Sequence, residues 1–453
     1  KNKQIKSLSS PMKSKILVMI LLLFVFPYFL FALTLEEEKK YGKEIYFEIA
    51  RSVPVNNDPF ISIYVNDIKN RLEQNANLSF PIVLTIIDYQ APDAFATMGG
   101  YVFISTGLIA MCDKEEELAG VLAHEFAHIS RRHIAKRIEK EKYINIASIA
   151  ALLAAIIVPD PGVKGAVLTT GMGSAQAMSL KYSREDEDEA DRVGATIADK
   201  TGYGGLGTAD FLRKLRSAGG DKVLPQYLLT HPYNEERIIK LENTWQRKPV
   251  QIDTSLFSYL VTRTNILHKD TRGSSEDIWI GKYEKDKSNP VNVYGAALVY
   301  SIKGNVNKAI ELIKSMDSPY KNTFLGEMLV NAYRFPEAEE ILKHETGPVA
   351  RFYFARALEG AGKTNSAIDV FKQILPYGNI YLDIYYRYGM LMGRTGHEAD
   401  GHKYLGRFYL ENGRLDQARS HFEKAIAKYG INSMEAANIM RIIDSMKKET
   451  SGS

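Results

Sequence analysis

Cysteine is almost absent from this chain of 453 residues, in which Cys112 is the single thiol. One cysteine excludes an intrachain disulfide, so no disulfide framework holds the fold together. A strong charge imbalance is absent as well, because 58 lysine and arginine residues stand against 54 aspartate and glutamate residues, for a net charge of +4. The basic footprint of a nucleic-acid-binding protein is therefore missing, and we expect no nucleic-acid partner.

Long apolar runs are also scarce, and two segments qualify for consideration. Residues 16–33 are apolar and follow a stretch with five lysines, a pattern typical of a secretory signal that sends a protein to the periplasm or out of the cell. An uncleaved membrane anchor formed by residues 16–33 is the alternative. Residues 144–158 form a run of about fifteen residues, shorter than the roughly 20 that a membrane-spanning helix needs. We interpret this run as a buried or surface-lying hairpin, with peripheral membrane contact as one of its expected roles.

The pattern His-Glu-x-x-His occurs at His124, Glu125 and His128. On a helix, positions i and i+4 place the two imidazoles on one face, where they can bind a single metal ion. Glu125 is rotated by about 100° from His124, so it can flank that ion without binding it. The alternative is a solvated surface helix with two unremarkable histidines. The residues around the motif are uncharged, which favours a buried helix.

A third metal ligand is needed, and the sequence offers two candidates. His133 does not fit a known spacing, and we interpret it as a polar residue late in the helix. Glu187 and Asp191 lie four residues apart in an acidic stretch followed by small residues, which predicts a helix that packs closely against another. Glu187 can then complete a His-His-Glu site, and Asp191 can accept the free N–H of a metal-bound imidazole. A solvated acidic helix face is the alternative.

Three motifs in the same order resemble the HtpX and CAAX prenyl protease family of zinc endopeptidases. They are the segment 94–104, the motif at 124–128, and the pattern Ser-Arg-x-x-Glu-x-x-Ala-Asp at 183–191. The similarity extends over about residues 36–245. The resemblance implies an α+β zincin-type metallopeptidase domain, mostly helical with a small sheet. Processing of prenylated proteins is not expected, because the chain has too few membrane-spanning segments.

The resemblance also implies specific roles for individual residues. One Zn²⁺ ion is expected on His124, His128 and Glu187, with Glu125 as the general base. Departures from the family pattern at Asp93 and Met98, where the family usually has Asn and often Pro, are mild and do not affect the metal ligands.

The residues that precede the metal helix predict a substrate-binding edge. Gly99 and Gly100 allow close backbone approach, and 101–105 is rich in strand-forming residues that begin at Tyr101. An exposed strand edge beside a metal site can pair with an extended peptide. An ordinary glycine turn before a core strand is the alternative.

His231 is a further candidate, in the stretch Leu-Leu-Thr-His-Pro-Tyr at 228–233. It could stabilise the oxyanion of the reaction or occupy the open metal position in a resting state. A turn in which Thr230 caps the following helix is the alternative.

The second half of the chain contains helical repeats. A boundary with Pro249 precedes a region in which small and aromatic residues recur at the spacing of a tetratricopeptide helix pair, about 34 residues per repeat. Three units match this spacing: Ala297, Tyr300, Gly304, Ala309 and Ile313; Ala355, Leu358, Gly362, Ala367 and Phe371; Gly406, Tyr409, Gly413, Ala418 and Phe422. We therefore predict an all-α tetratricopeptide (TPR) solenoid, with a non-repetitive helical bundle as the alternative. A unit around Tyr333 is expected to have a shortened turn.

These observations predict a signal or anchor at 1–33, a zinc metallopeptidase domain at 34–250 and a TPR-like domain at 251–450. The combination resembles an exported branch of the family. We expect a zinc endopeptidase of the cell envelope that degrades or helps to assemble outer-membrane proteins. The solenoid would recruit protein substrates or the outer-membrane assembly machinery. The alternative is a TPR chaperone or scaffold with a latent peptidase.

Overall fold

The computed structural model describes residues 33–140, 182–219, 227–232, 235–268 and 274–450. The predicted secretory signal, apart from Leu33, and the predicted apolar hairpin at 144–158 lie outside these residues. Within the described ranges, no helix combines the length and apolar character needed to cross a bilayer.

A three-stranded sheet lies at the centre of the first half, with strand order β1-β3-β2. The strands are β1 (Val83–Ile87), β2 (Ala94–Ala96) and β3 (Tyr101–Ser105). β1 runs parallel to β3 and β2 runs antiparallel to it, with Ala94 opposite Ile104. Both faces of the sheet are covered, which explains why apolar residues fill the strands almost without interruption.

Helices surround this sheet and carry the motifs. They are α1 (Leu35–Ser52), α2 (Pro59–Glu73), α3 (Thr106–Met111), α4 (Glu115–Ser130), α5 (His133–Lys140), α6 (Arg184–Thr201), α7 (Gly207–Gly219), α8 (Tyr227–Thr230) and α9 (Glu235–Thr244). One face of the sheet presents Phe95 and Phe103, which stack at 5.0 Å and pack against α1. The other face presents Val102 and Ile104, which join α2 and α4 in the larger core.

Helices α4 and α6 pack unusually closely, and their sequences explain why. A Cβ atom at Gly194 of α6 would lie 2.9 Å from Cα of His124 in α4, so only glycine fits there. α6 begins with a capping box between Ser183 and Asp186, and it ends at Gly202 with a left-handed φ of 98°. The predicted helices at 124–128 and 183–191 are thus present, and their close approach brings the two motifs together.

The second half is a helical solenoid, which confirms the predicted TPR-like architecture. Its helices are α10 (Phe257–Leu267), α11 (Ser274–Lys285), α12 (Pro290–Ile302), α13 (Val306–Ser315), α14 (Lys321–Asn331), α15 (Phe335–Leu342), α16 (Pro348–Gly360), α17 (Thr364–Ile374), α18 (Asp383–Arg394), α19 (Glu398–Glu411), α20 (Leu415–Tyr429) and α21 (Met434–Thr450). Helices adjacent in the chain pack against each other along the array.

A left-handed residue lies in several of the turns between consecutive helices of the solenoid. The turn residues Gly304, Gly362, Gly396 and Gly413 have φ between 69° and 85°, a conformation that glycine adopts without steric cost. Tyr333 adopts the same conformation, with φ of 58°, in the turn between α14 and α15. The expectation of a shortened turn at Tyr333 is therefore wrong: the turn keeps its form with a tyrosine in the glycine position.

The solenoid contacts the first half at both of its ends. Near its start, the buried Arg263 of α10 binds Asp58, the N-cap of α2, at 2.7 Å and Glu327 of α14 at 2.6 Å. Near its end, Arg51 of α1 donates a hydrogen bond of 3.4 Å to the carbonyl of Gly413. One apolar core runs from α2 through the solenoid to α18. The division at residue 250 stays a prediction about folding units.

Candidate metal centre

Four buried side chains from three parts of the chain converge beside the sheet. His124 and His128 come from α4, Glu187 comes from the first turn of α6, and His231 follows α8. One nitrogen or oxygen atom of each residue lies within 4.8 Å of the corresponding atoms of the other three. The structure therefore brings together three predicted ligands and the predicted neighbour His231.

The two helical histidines point the same ring atom at a common centre. Their Nε2 atoms are 3.0 Å apart, and Glu187 lies 3.4 Å from Nε2 of His128 and 3.6 Å from Nε2 of His124. The Nδ1 atom of His124 is 3.0 Å from Asp191, and a carboxylate at this distance favours the tautomer with its proton on Nδ1 and its lone pair on the inward-facing Nε2. Two lone pairs and a carboxylate that face one centre are the donor set of a metal ion.

The electrostatics keep these groups in the forms that bind a cation. Burial lowers the pKa of His128 well below its ordinary value, so that imidazole is neutral. Burial alone would raise the pKa of Glu187, but His231 and Arg237 hold this pKa well below its usual range. A neutral imidazole and an ionised carboxylate are the protonation states that metal ligation requires.

Glu125 lies beside the group and is fully buried. Among the described residues, no hydrogen-bond partner satisfies either of its carboxylate oxygens, and Oε1 is 3.4 Å from Nε2 of His231. Burial raises the pKa of Glu125, with His231 and His124 opposing the shift. A desolvated carboxyl group with free acceptor oxygens is suited to taking up a proton.

Arg237 of α9 is a site residue to which the sequence assigned no role. Its guanidinium binds Asp191 through two contacts of 2.7 and 2.8 Å, and it reaches Glu187 at 2.5 Å. Burial would raise the pKa of Asp191, but Arg237 and His124 lower it to about 2. The ionised Asp191 lies 3.0 Å from Nδ1 of His124, within reach of the proton of that imidazole. Arg237 lies six residues after His231. Its place in the same stretch of sequence as this candidate residue was the signal that could have identified it.

Two tyrosines pack on the histidine rings and were also missed. Tyr182 stacks on His128 with centroids 3.7 Å apart, and Tyr227 stacks on His231 at 4.4 Å. Both tyrosine side chains are buried. They fix the ring planes of their partners, and no short-range sequence pattern identifies such contacts.

The predicted substrate edge at 101–105 is wrong as a statement about the sheet. β3 is the central strand and pairs on both sides. Gly99 and Gly100 are buried: added Cβ atoms would approach the backbone of α1 and of Pro81, respectively. Gly99 and Gly100 therefore lie in the interior, and Tyr101 is partly buried at the start of the central strand. The edge strand nearest the site is β2, whose Ala96 carbonyl accepts a hydrogen bond of 3.5 Å from Tyr182.

Comparison with known proteins supports this reading of the site. The family model of peptidase family M48 matches residues 62–245. A putative beta-barrel assembly-enhancing protease of Vibrio cholerae is 33% identical over 300 residues, covering 63% of this chain and 60% of that protein. The beta-barrel assembly-enhancing protease of Escherichia coli K12 is 25% identical over 443 residues, 92% of this chain and 89% of that protein.

A third relative matches less than half of the chain. A protease HtpX homolog of Desulfatibacillum aliphaticivorans is 30% identical over 248 residues, 44% of this chain and 74% of that protein. The matched family region contains His124, His128, Glu187 and His231, and hence every side chain that converges on the centre. On these grounds, the chain belongs to peptidase family M48.

Proposed function

We propose that this protein is a zinc-dependent endopeptidase of the cell envelope. The observation that carries the proposal is the convergence of two Nε2 atoms 3.0 Å apart with a carboxylate, next to a buried Glu125. Membership of a metallopeptidase family implies a metal cofactor. A donor set of imidazole nitrogens and a carboxylate fits Zn²⁺, whereas Mg²⁺ and Ca²⁺ prefer oxygen ligands throughout.

In this proposal His124, His128 and Glu187 hold the ion. A zinc ion held there would supply a Lewis acid, which lowers the pKa of a water molecule and polarises a carbonyl group. Glu125 takes a proton from the attacking water and then delivers it to the leaving amine. Asp191 keeps His124 in the tautomer that directs Nε2 inward. Because β2 is the edge strand beside Glu125, we place the extended substrate along its outer side.

His231 has two proposed states. Its Nδ1 atom lies 3.0 Å from Glu187 and 3.4 Å from Nε2 of His124, so it occupies a fourth donor position. Four protein ligands close a zinc site, and a catalytic site needs one position open. We propose that His231 blocks the resting site and moves aside to stabilise the oxyanion when substrate binds.

This closed arrangement favours a second candidate function. In it the protein acts mainly as a TPR chaperone or assembly scaffold, and its peptidase is latent. Rescue of a deletion strain by the variant Glu125→Gln would support the scaffold role. Loss of rescue would support the peptidase.

The cellular role is proposed from the relatives and from the sequence. Two relatives are named as beta-barrel assembly-enhancing proteases, and residues 16–33 have the pattern of a secretory signal. We propose a periplasmic location, with membrane anchoring through 16–33 as the alternative. Substrates would be outer-membrane proteins during assembly, and the solenoid would bind them or the assembly machinery.

The variant Glu125→Gln tests the mechanism. We expect casein cleavage by the purified chain to fall by at least about 10²–10⁴-fold, because the amide cannot accept the proton. Zinc content should stay at one ion per chain, as in the control Glu185→Gln at an exposed position of α6. Cleavage at the wild-type rate by Glu125→Gln would refute the assignment of Glu125 as the base.

A further inference from the structure

A fourth buried histidine lies next to the metal centre without belonging to the ligand group. His133 begins α5, and its Nδ1 atom is 2.8 Å from Nδ1 of His128. Its other ring nitrogen, Nε2, is 3.2 Å from Oε2 of Glu189 on α6. His128, His133 and Glu189 therefore form a continuous chain of contacts that leads away from the centre.

The backbone is shaped to bring His133 back over His128. Helix α4 ends at Ser130, and Arg132 adopts a left-handed φ of 57° before α5 starts. This conformation is unfavourable for a residue with a side chain and needs support from its surroundings. Arg132 receives it from Glu38 at 2.7 Å and from the Leu33 carbonyl at 2.7 Å.

We propose that His133 and Glu189 are positioning residues that hold His128 in its metal-binding tautomer, a proposal that rests on the zinc site described above. For Nε2 of His128 to offer a lone pair, its proton must sit on Nδ1. That proton is donated to Nδ1 of His133, whose own proton then sits on Nε2 and is donated to Glu189. The opposite tautomers would aim an N–H of His128 at the metal position.

The two histidine ligands are thus supported in different ways. His124 contacts Asp191 directly, and Arg237 binds this buried carboxylate. His128 donates through His133 to Glu189, which is partly exposed and bound by Arg131 at 3.2 Å. Each imidazole is thus supported by a carboxylate: Asp191 contacts His124 directly, and Glu189 acts on His128 through His133. Partners of this kind typically change metal affinity by 10–100-fold when they are removed.

Two substitutions at His133 separate positioning from packing. His133→Phe keeps a ring of similar size but cannot accept the proton of His128. His133→Asn is smaller but places a carbonyl oxygen where Nδ1 was. We expect the zinc affinity, measured by competition with a chelator, to fall about 10–100-fold for Phe and to be largely restored by Asn. A purely structural role predicts the reverse order, because Phe fills the space better.

Two further measurements complete the test. The visible spectrum of the cobalt-loaded protein should change for Phe and resemble the wild type for Asn. If His133→Phe does not melt cooperatively as the metal-free chain, Glu189→Gln provides the same test, with Glu185→Gln as its exposed control on α6. Unchanged zinc affinity in both His133→Phe and Glu189→Gln overturns the proposal. Absence of zinc binding by the wild type would instead overturn the proposed zinc site.

Discussion

Around the candidate metal centre, helices α4, α6 and α9 bury histidine, glutamate, aspartate and arginine, whereas the solenoid helices bury mainly alanine, leucine, phenylalanine and tyrosine. Among the described residues of the solenoid, the buried charged side chains are Arg263 and Glu327, and both lie where the solenoid meets α2. A buried charge costs several kcal/mol unless it is paired. Apart from Glu125, these buried charged groups are paired. The first half concentrates them at a potential reaction centre, and the second half places them at a junction.

The difference separates two uses of the same chemistry. In the first half, Arg237 holds two carboxylates that face or support the metal ligands. In the solenoid, Arg263 joins helices from both halves and contacts no group of the metal centre among the described residues. Removal of either arginine should lower the stability of the fold. Only the removal of Arg237 should also lower the affinity for the metal.

The largest expected effect comes from breaking these two arginine networks. We expect Arg237→Leu and Arg263→Leu each to lower the free energy of unfolding by about 3–5 kcal/mol, because carboxylates are left buried without their partner. Zinc affinity should fall in Arg237→Leu and stay at the wild-type value in Arg263→Leu. Chemical denaturation and zinc titration of both variants measure this. Equal weakening of zinc binding in the two variants would erase the proposed distinction.

A smaller effect concerns acid stability of the metal-free protein. The folded-state pKa of Asp191 is about 2, below its ordinary 3.8. A depressed carboxyl pKa contributes stability that is present above about pH 4 and is lost as the pH falls towards 2. This contribution amounts to about 2 kcal/mol. Asp191→Asn should therefore be less stable at pH 7 and show a flatter loss between pH 4 and 2. The free energy of unfolding of both proteins can be measured by urea denaturation across this pH range. An equal fall for the wild type and Asp191→Asn would contradict the low pKa assigned to Asp191.

The smallest effect lies in the solenoid, where packing decides. A Cβ atom at Gly406 of α19 would lie 2.5 Å from the ring of Phe422, so Gly406→Ala should cost about 1–2 kcal/mol through overpacking. A Cβ atom at Gly393 of α18 would meet no atom within 4 Å. Gly393→Ala should therefore stabilise its helix by up to about 1 kcal/mol. Thermal unfolding distinguishes them, and neither should change zinc affinity. Destabilisation of the same size by both alanines would show that close helix approach is not the cause.

Sequence reasoning succeeded where one helix carries the whole pattern. The spacing of His124 and His128, and of Glu187 and Asp191, is enough to place each pair on one helical face. The repeat glycines were likewise predictable, because each unit repeats the same turn. In both cases the structure depends on residues that are close in the sequence, so their spacing alone predicts it.

Sequence reasoning failed where a residue's role depends on a distant partner. His133 was interpreted as a late residue of the metal helix, but α4 ends at Ser130 and the left-handed Arg132 redirects the chain. β3 was expected at an edge, although pairing with Val83–Ile87 makes it central. Arg237 was passed over because its partner Asp191 is 46 residues away.

The central claim is that the buried polar centre is a zinc site formed by His124, His128 and Glu187. Anomalous X-ray diffraction from zinc-loaded crystals, recorded on both sides of the zinc absorption edge, tests it most directly. We predict one strong anomalous peak per chain, within bonding distance of Nε2 of both histidines and of a carboxylate oxygen of Glu187. A peak elsewhere, or no peak at this centre in the loaded protein, would contradict the account.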